Sequence, residues 1–211
     1  MQLTDRTRVR RLPARGSNEW GDICAILDAA FLAHVGFAIN GQPFVIPTLF
    51  GRQDETLYLH GSAASRMLRE LEQGIAACVT VTLVDGLVLA RSAFHHSMNY
   101  RSVVAFGTAR KIQDDSAKEN ALRIVSERVV AGRWNDVRPP TPKELKATTV
   151  LALEIEEASA KVRTGPPKDD EEDYALPIWA GVVPITMQQG IAISDPRLGV
   201  DMAPPPYVKA D

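Results

Sequence analysis

The sequence predicts a mainly β fold, a barrel of six or seven mostly antiparallel strands with flanking helices packed outside it. Three observations carry that prediction. Apolar and polar residues alternate with the period of two of a half-buried strand in stretch after stretch. Two-residue turn signals, Asn40-Gly41 and Asp85-Gly86, join neighbouring stretches as hairpins do. The helical patterns are few, and each falls between or before strands.

Taken in order, residues 1–16 hold Arg6, Arg8, Arg10, Arg11 and Arg15 without apolar periodicity, and read as a basic, solvated arm outside the core. Ser17 is placed to cap a helix whose Trp20, Ile23, Cys24, Leu27, Ala30 and Phe31 recur at the spacing of one buried face. Strands follow at 35–39 and 44–50 about Asn40-Gly41, and Gln53-Asp54-Glu55 turns the chain into a strand through Tyr58. There Leu57 and Leu59 share one face, and Tyr58 and His60 the other. A helix carrying Met67, Leu68 and Leu71 comes next. Residues 76–84 form a strand with Thr80 and Thr82 opposite Val79, Val81 and Leu83, and Asp85-Gly86 reverses it into 87–91. The strand over 100–112 contains Gly107, which marks a bulge or a close backbone approach. Ser116-x-x-Glu119 and Thr141-Pro142-Lys143-Glu144 are capping boxes for two helices, and 150–155 is one more strand.

The expected organisation is an arm over 1–16, a barrel domain over 17–163, and an extension over 164–211 that packs on the barrel or on a partner subunit. Proline-rich and acidic runs in that extension flank Pro177-Ile178-Trp179-Ala180-Gly181, an apolar stretch whose tryptophan calls for a covering surface. At 211 residues with 45% hydrophobic residues, the chain is long enough to bury one substantial core. A net charge of −2 leaves no basic footprint for nucleic acid. The apolar runs fall short of the roughly 18 residues of a membrane span, and the N-terminus lacks the apolar stretch of a signal peptide. The expected location is the cytoplasm, with no membrane partner. Cys24 and Cys78 lie in helical and strand patterns, where free cysteine packs as a small apolar residue.

Chemistry concentrates in two stretches. In the first, the strand through His60 runs into Gly61-Ser62-Ala63-Ala64-Ser65-Arg66, where Gly61 permits close approach of backbone and Ser62 can cap the following helix. Two readings stay open there. One is an anion site of free N–H groups, two hydroxyls and the Arg66 guanidinium; the other is an ordinary capped helix with a surface arginine. The second stretch, 91–102, gathers His95, His96, Asn99, Tyr100, Arg101 and Ser102 just before a strand. Adjacent histidines in an extended segment point to opposite faces, so the pair is poorly placed to chelate one ion, and no metal site is expected. No Gly-x-Ser-x-Gly elbow signals a nucleophilic triad.

Phe44-Val45-Ile46-Pro47-Thr48-Leu49-Phe50, Tyr58 through Arg66, Asn99-Tyr100-Arg101-Ser102-Val103 and Phe106-Gly107-Thr108-Ala109 together resemble the flavin-binding split-barrel family. That family includes pyridoxamine 5'-phosphate oxidase and the nitroimidazole-resistance proteins, and the similarity is closer to the second branch, over residues 17–161. The resemblance implies a six-stranded split barrel that forms a homodimer, with FMN at each of two sites across the subunit interface. Ser62, Ser65 and Arg66 match the phosphate turn, Pro47 and Thr48 the strand whose backbone lines the isoalloxazine, and His60 and Gly61 the ring and ribityl positions. Ser102 matches a side chain that approaches the ring, with Arg101 beside it. Lys161, Arg163 and Trp179 are candidates for the Trp and Arg region of the oxidase, while Met67 replaces its second basic residue at the phosphate. The implied activity is an oxidoreductase that passes electrons from a reduced nicotinamide or another donor to a small, flat organic acceptor such as a nitro compound or quinone. His60 is the candidate acid near the ring. A non-catalytic flavin-binding or storage module, a deazaflavin protein, and a haem protein ligated by His60, His95 or His96 are the alternatives.

Overall fold

The alternating pattern is realised as eight antiparallel strands, in a computed structural model that describes residues 1–199 and 202–208. The strands are β1 (Gly16–Ser17), β2 (Leu32–Ile39), β3 (Gln42–Gln53), β4 (Thr56–Ser62), β5 (Ala76–Leu89), β6 (Ser97–Lys111), β7 (Thr148–Arg163) and β8 (Gly181–Pro184). Four helices accompany them, α1 (Trp20–Asp28), α2 (Arg66–Leu71), α3 (Asp115–Val129) and α4 (Pro142–Ala147). Pairing runs β7–β4–β3–β2–β5–β6 and returns to β7, so six strands close a ring. Inside it lie Val35, Phe50, Leu57, Leu59, Val79, Val81, Val103, Leu151 and Leu153, all buried. Ile23, Ile26 and Leu27 of α1 and Leu68 and Leu71 of α2 join the same core.

The ring is split because its strands are longer than their shared pairings. β2 meets β5 only at residues 34–36 and 78–80, and further along β5 the free edge is taken by β8. Likewise β3 pairs with β2 over 42–49 and with β4 only over 50–53. One edge of β3 therefore stays unpaired beside α2, with Pro43 and Pro47 on it.

Turn chemistry accounts for several joints. Asn40 and Gly41 both have positive φ, 50° and 82°, the geometry of a tight primed hairpin. At Gly107 the β6–β7 register shifts, and a Cβ there would fall 1.9 Å from the Glu154 carbonyl oxygen, so only glycine fits. The Thr141 capping box forms in both directions: the Glu144 N–H donates to Thr141 Oγ1 and the Thr141 N–H donates to the Glu144 carboxylate.

Other expectations are corrected. Asp85-Gly86 is not a hairpin turn but a bulge inside the continuous β5, between Val84 opposite Tyr100 and Gly86 opposite Asn99. Neither residue has the positive φ that such a turn needs, and pairing with the long β6 carries the strand through. Helix α3 begins two residues before the predicted box, capped by Asp114, whose carboxylate accepts from the Ala117 N–H at 2.7 Å. Ser17 pairs in β1, its hydroxyl accepting from the Glu19 N–H, and α1 starts without a side-chain cap. β7 extends from 148 to 163, beyond the predicted 150–155, because β4, β6 and β1 each claim part of it. The basic arm lies along β6 and β7: Thr4 and Arg6 bond Glu157, the Arg6 guanidinium stacks 4.9 Å from the Phe106 ring centre, and Thr7 is buried.

Candidate functional site

The turn after β4 is built by short-range bonds. The Ser62 hydroxyl accepts from the Ala64 N–H at 3.2 Å, and the Ser65 N–H donates to the Ser62 carbonyl at 2.9 Å. Ser65 is the N-cap residue of α2, yet its hydroxyl makes no capping bond and is free for another partner. Met67, Leu68 and Leu71 anchor α2 in the core, which fixes the direction in which Arg66 projects. Its guanidinium stands 5.4 Å from the Phe44 ring centre and forms no ion pair among the described residues. Two cavities share Arg66 and Phe44. One, about 270 Å³, is also lined by Phe37, Ile46 and Ser65; the other, about 600 Å³, adds Ile39, Arg69 and Glu70. The unpaired edge of β3 runs past Phe44 and Ile46, so peptide groups, an aromatic face and a free cation face the same space.

Pro47 and Thr48 lie on opposite faces of that strand. Pro47 stands opposite His34 on the outer face, and Thr48 opposite Ala33, whose side chain is in the core. Gly61 faces α2: a Cβ there would meet Leu68 at 3.2 Å, so the residue serves helix packing as well as the turn.

His60 lies elsewhere. It projects from the outer face of β4 into a cavity of about 570 Å³ under α3, with Leu49, Leu122, Val125 and Trp134 among the walls. Neither cavity bordered by Arg66 has His60 in its lining. The imidazole Nδ1 is buried without a hydrogen-bond partner, and burial pushes its pKa below the ordinary value, so the ring is neutral near neutral pH.

The remaining candidates have protein partners or separate surroundings. Arg101 is clamped by Asp85 through two hydrogen bonds of 2.9 and 2.7 Å, a pairing that lowers the Asp85 pKa. Both residues border a fourth cavity, about 800 Å³, at the split between β2 and β5, with His34, Leu83, Ile185 and Met187. The Ser102 hydroxyl donates to the Lys161 carbonyl at 3.3 Å, and the two residues are directly opposed in β6 and β7. Arg163 is buried, its guanidinium donating to the Asn99 side chain and to the carbonyls of Gly165 and Pro166. It ties down the start of the extension. Trp179 is 67% exposed, its ring lying over Gly181. The two adjacent histidines diverge: His96 Nδ1 accepts from the Ala90 N–H at 3.0 Å, and His95 Nε2 faces Asp170 at 3.2 Å. No cluster of three metal-ligating side chains occurs among the described residues.

Sequence reasoning missed Phe44, Ile46 and Arg69 as site residues, and the whole α3 wall around His60. Arg69 had a signal, one helical turn from Arg66. The α3 wall had none, because nothing local ties residues 122–134 to His60.

Residues 19–162 match the family model described as pyridoxamine 5'-phosphate oxidase. Flavocytochrome Anf3 from Azotobacter vinelandii is 47% identical with a TM-score of 0.90, over 97% of this chain and 95% of that chain. The FAD and heme binding protein from Mycobacterium smegmatis is 40% identical with a TM-score of 0.88, over 92% and 95%. A protein from Bacteroides thetaiotaomicron described as a 5-nitroimidazole antibiotic resistance protein shares the fold at 24% identity and a TM-score of 0.59, over 70% of this chain and 86% of that one. No curated protein sequence matches.

Proposed function

We propose, because this chain belongs to the pyridoxamine 5'-phosphate oxidase family, that it is a flavin-binding oxidoreductase whose flavin phosphate is held at the Ser62, Ser65 and Arg66 turn. The observation that carries this reading is Arg66: a cation without an ion pair among the described residues, set over Phe44 beside the unpaired edge of β3. A flavin needs those three elements together, a charged clamp for phosphate, an apolar face for the ring, and peptide groups for its heteroatoms. The larger cavity past Arg66 brings Arg69, a second cation without an ion pair among the described residues, which suits the longer phosphate chain of FAD as well as FMN.

A bound flavin would supply hydride and one- or two-electron transfer chemistry. The chain's own groups would bind and orient it: Arg66 and Ser65 would hold the phosphate end, with Phe44 and Ile46 as the apolar walls beside them. The substrates are a reduced nicotinamide or similar donor and a small, flat acceptor such as a quinone or nitro compound. Leu32, Val45 and Leu49 are exposed on one face of β2 and β3, an apolar area that suits a second copy of the chain, with the flavin sites at that interface.

A second cofactor, haem, is favoured by two relatives at 47% and 40% identity, one a flavocytochrome and the other an FAD and heme binding protein. Absorbance of the purified full chain tests both cofactors, and fluorescence titration with FMN, FAD and riboflavin tests the flavin directly. The expected result is a yellow protein that quenches flavin on binding and oxidises added NADH or NADPH when a quinone is present. A protein that takes up no flavin at about 100 μM contradicts the proposal.

A further inference from the structure

We infer that residues 186–194 of the C-terminal extension are an exchanged arm that buries Met187, Ile191 and Ile193 on a second copy of the chain, an inference that rests on the homodimer reading above. Composition is the first reason. From Ile185 to Ser194 the chain has neither a charge nor a proline, although Pro184, Asp195, Pro196 and Arg197 stand at its ends. Ile185, Met187, Ile191 and Ile193 occupy alternate positions, interrupted only by Gln189, with Thr186, Gln188, Gly190, Ala192 and Ser194 between them. An extended chain of this sequence has one apolar face and one small or polar face, the pattern of a half-buried strand.

Its own barrel does not bury that face. Strand β8 ends at Pro184, and the last backbone bond to the sheet is the Ile185 N–H donating to the Asp85 carbonyl at 3.1 Å. No backbone hydrogen bond or strand pairing joins 186–194 to another segment among the described residues. Met187 is 79% exposed, Ile191 91% and Ile193 96%. Soluble chains avoid leaving such a face in water, and blunt it with charges or proline where it has no cover.

Position and area select a second copy as the cover. Ile185, Thr186 and Met187 line the cavity of about 800 Å³ together with Phe31, Leu32 and His34, so the arm leaves the barrel beside the β2–β3 face assigned above to the dimer. The apolar part of that face is Leu32, Val45 and Leu49, which is little against the roughly 20–30 residues a side of a stable interface. The arm 186–194 reaches about 30 Å when extended, far enough to leave one barrel and lie across the next. Because a two-fold interface is self-complementary, each copy gives an arm and receives one.

The test uses the full-length protein and variants that spare the single chain, in which both isoleucines are exposed. Ile191→Asp combined with Ile193→Asp should raise the dimer dissociation constant about 100-fold or more in sedimentation equilibrium, with far-ultraviolet circular dichroism unchanged. Gln188→Asp, on the other face, should change it by less than about threefold. A photo-crosslinking residue in place of Ile193 is then placed in dimers assembled from equal amounts of light and heavy nitrogen-labelled chains. About half of the linked peptide pairs should carry both labels. Links confined to single chains, a dimer that the double variant leaves unchanged, or an equal weakening by Gln188→Asp each overturn the inference. A wild type that sediments as a monomer at about 100 μM defeats the homodimer reading itself, and the arm with it.

Discussion

Gly51→Ala tests how closely α3 must approach the barrel. A Cβ on Gly51 would lie 2.9 Å from Ile124 Cγ2, 2.9 Å from the Val125 nitrogen and 3.0 Å from Val125 Cα. Two of those three atoms are helix backbone, which no rotamer change moves aside, so α3 as a whole must lift by several tenths of an ångström. Overpacking of that kind costs about 1–3 kcal/mol, and at about 2–4 °C per kcal/mol for a chain of this size the midpoint should fall by about 2–12 °C. Gly21→Ala is the matched control. It lies in α1 with nothing within 4 Å of the new methyl group, and removing a helical glycine should stabilise by about 0.5–1 kcal/mol. Urea and thermal unfolding by circular dichroism compare the two, and a Gly51→Ala protein as stable as wild type would refute the close packing of α3 on β3.

His60 gives stability a pH dependence of defined sign. Its folded pKa is lowered by burial, so above about pH 6.5 both folded and unfolded forms are neutral and stability is full. Below that the unfolded chain takes up a proton the folded chain refuses, and stability falls by up to about 1.4 kcal/mol per pH unit until the folded pKa is reached. Urea midpoints across this range should show that slope in wild type and lack it in His60→Ala. Arg163→Met removes hydrogen bonds to Asn99, Gly165 and Pro166, and should cost about 1.5–3 kcal/mol of stability while leaving flavin affinity within about twofold. A large loss of flavin affinity without loss of stability would instead place this arginine at the cofactor. Light scattering at about micromolar concentration should find a dimer, with flavin affinity that falls on dilution; a monomer that binds flavin tightly would rule out a shared pocket.

What the sequence disclosed was local. The alternation of Leu57 and Leu59 against Tyr58 and His60, the Asn40-Gly41 turn, the Gly107 bulge and the Thr141 box each depend on neighbours within a few residues, and each is present. Asp85-Gly86 carries the same kind of signal and is not a turn, because twelve β5 residues pair with β6 across it. Candidate site residues divide in the same way. Ser62, Ser65 and Arg66 are brought together by a single turn, but the surroundings of His60 come from residues 122 onward, more than 60 positions away. Arg163 illustrates the limit from the other side: a cation near the end of a strand suggests a ligand, and only its register opposite Tyr100, next to Asn99, reveals that protein carbonyls occupy it.

The most direct test of flavin phosphate binding at the Arg66 turn compares phosphorylated and unphosphorylated flavins. Arg66 forms no ion pair among the described residues, so truncating it leaves no carboxylate stranded, and the change reads the ligand contact. A charge-assisted hydrogen bond contributes about 1.5–3 kcal/mol, so Arg66→Ala should weaken FMN and FAD by about 10- to 150-fold and riboflavin by about twofold or less. Equal losses for riboflavin and FMN, measured by fluorescence titration at constant salt, would contradict the assignment.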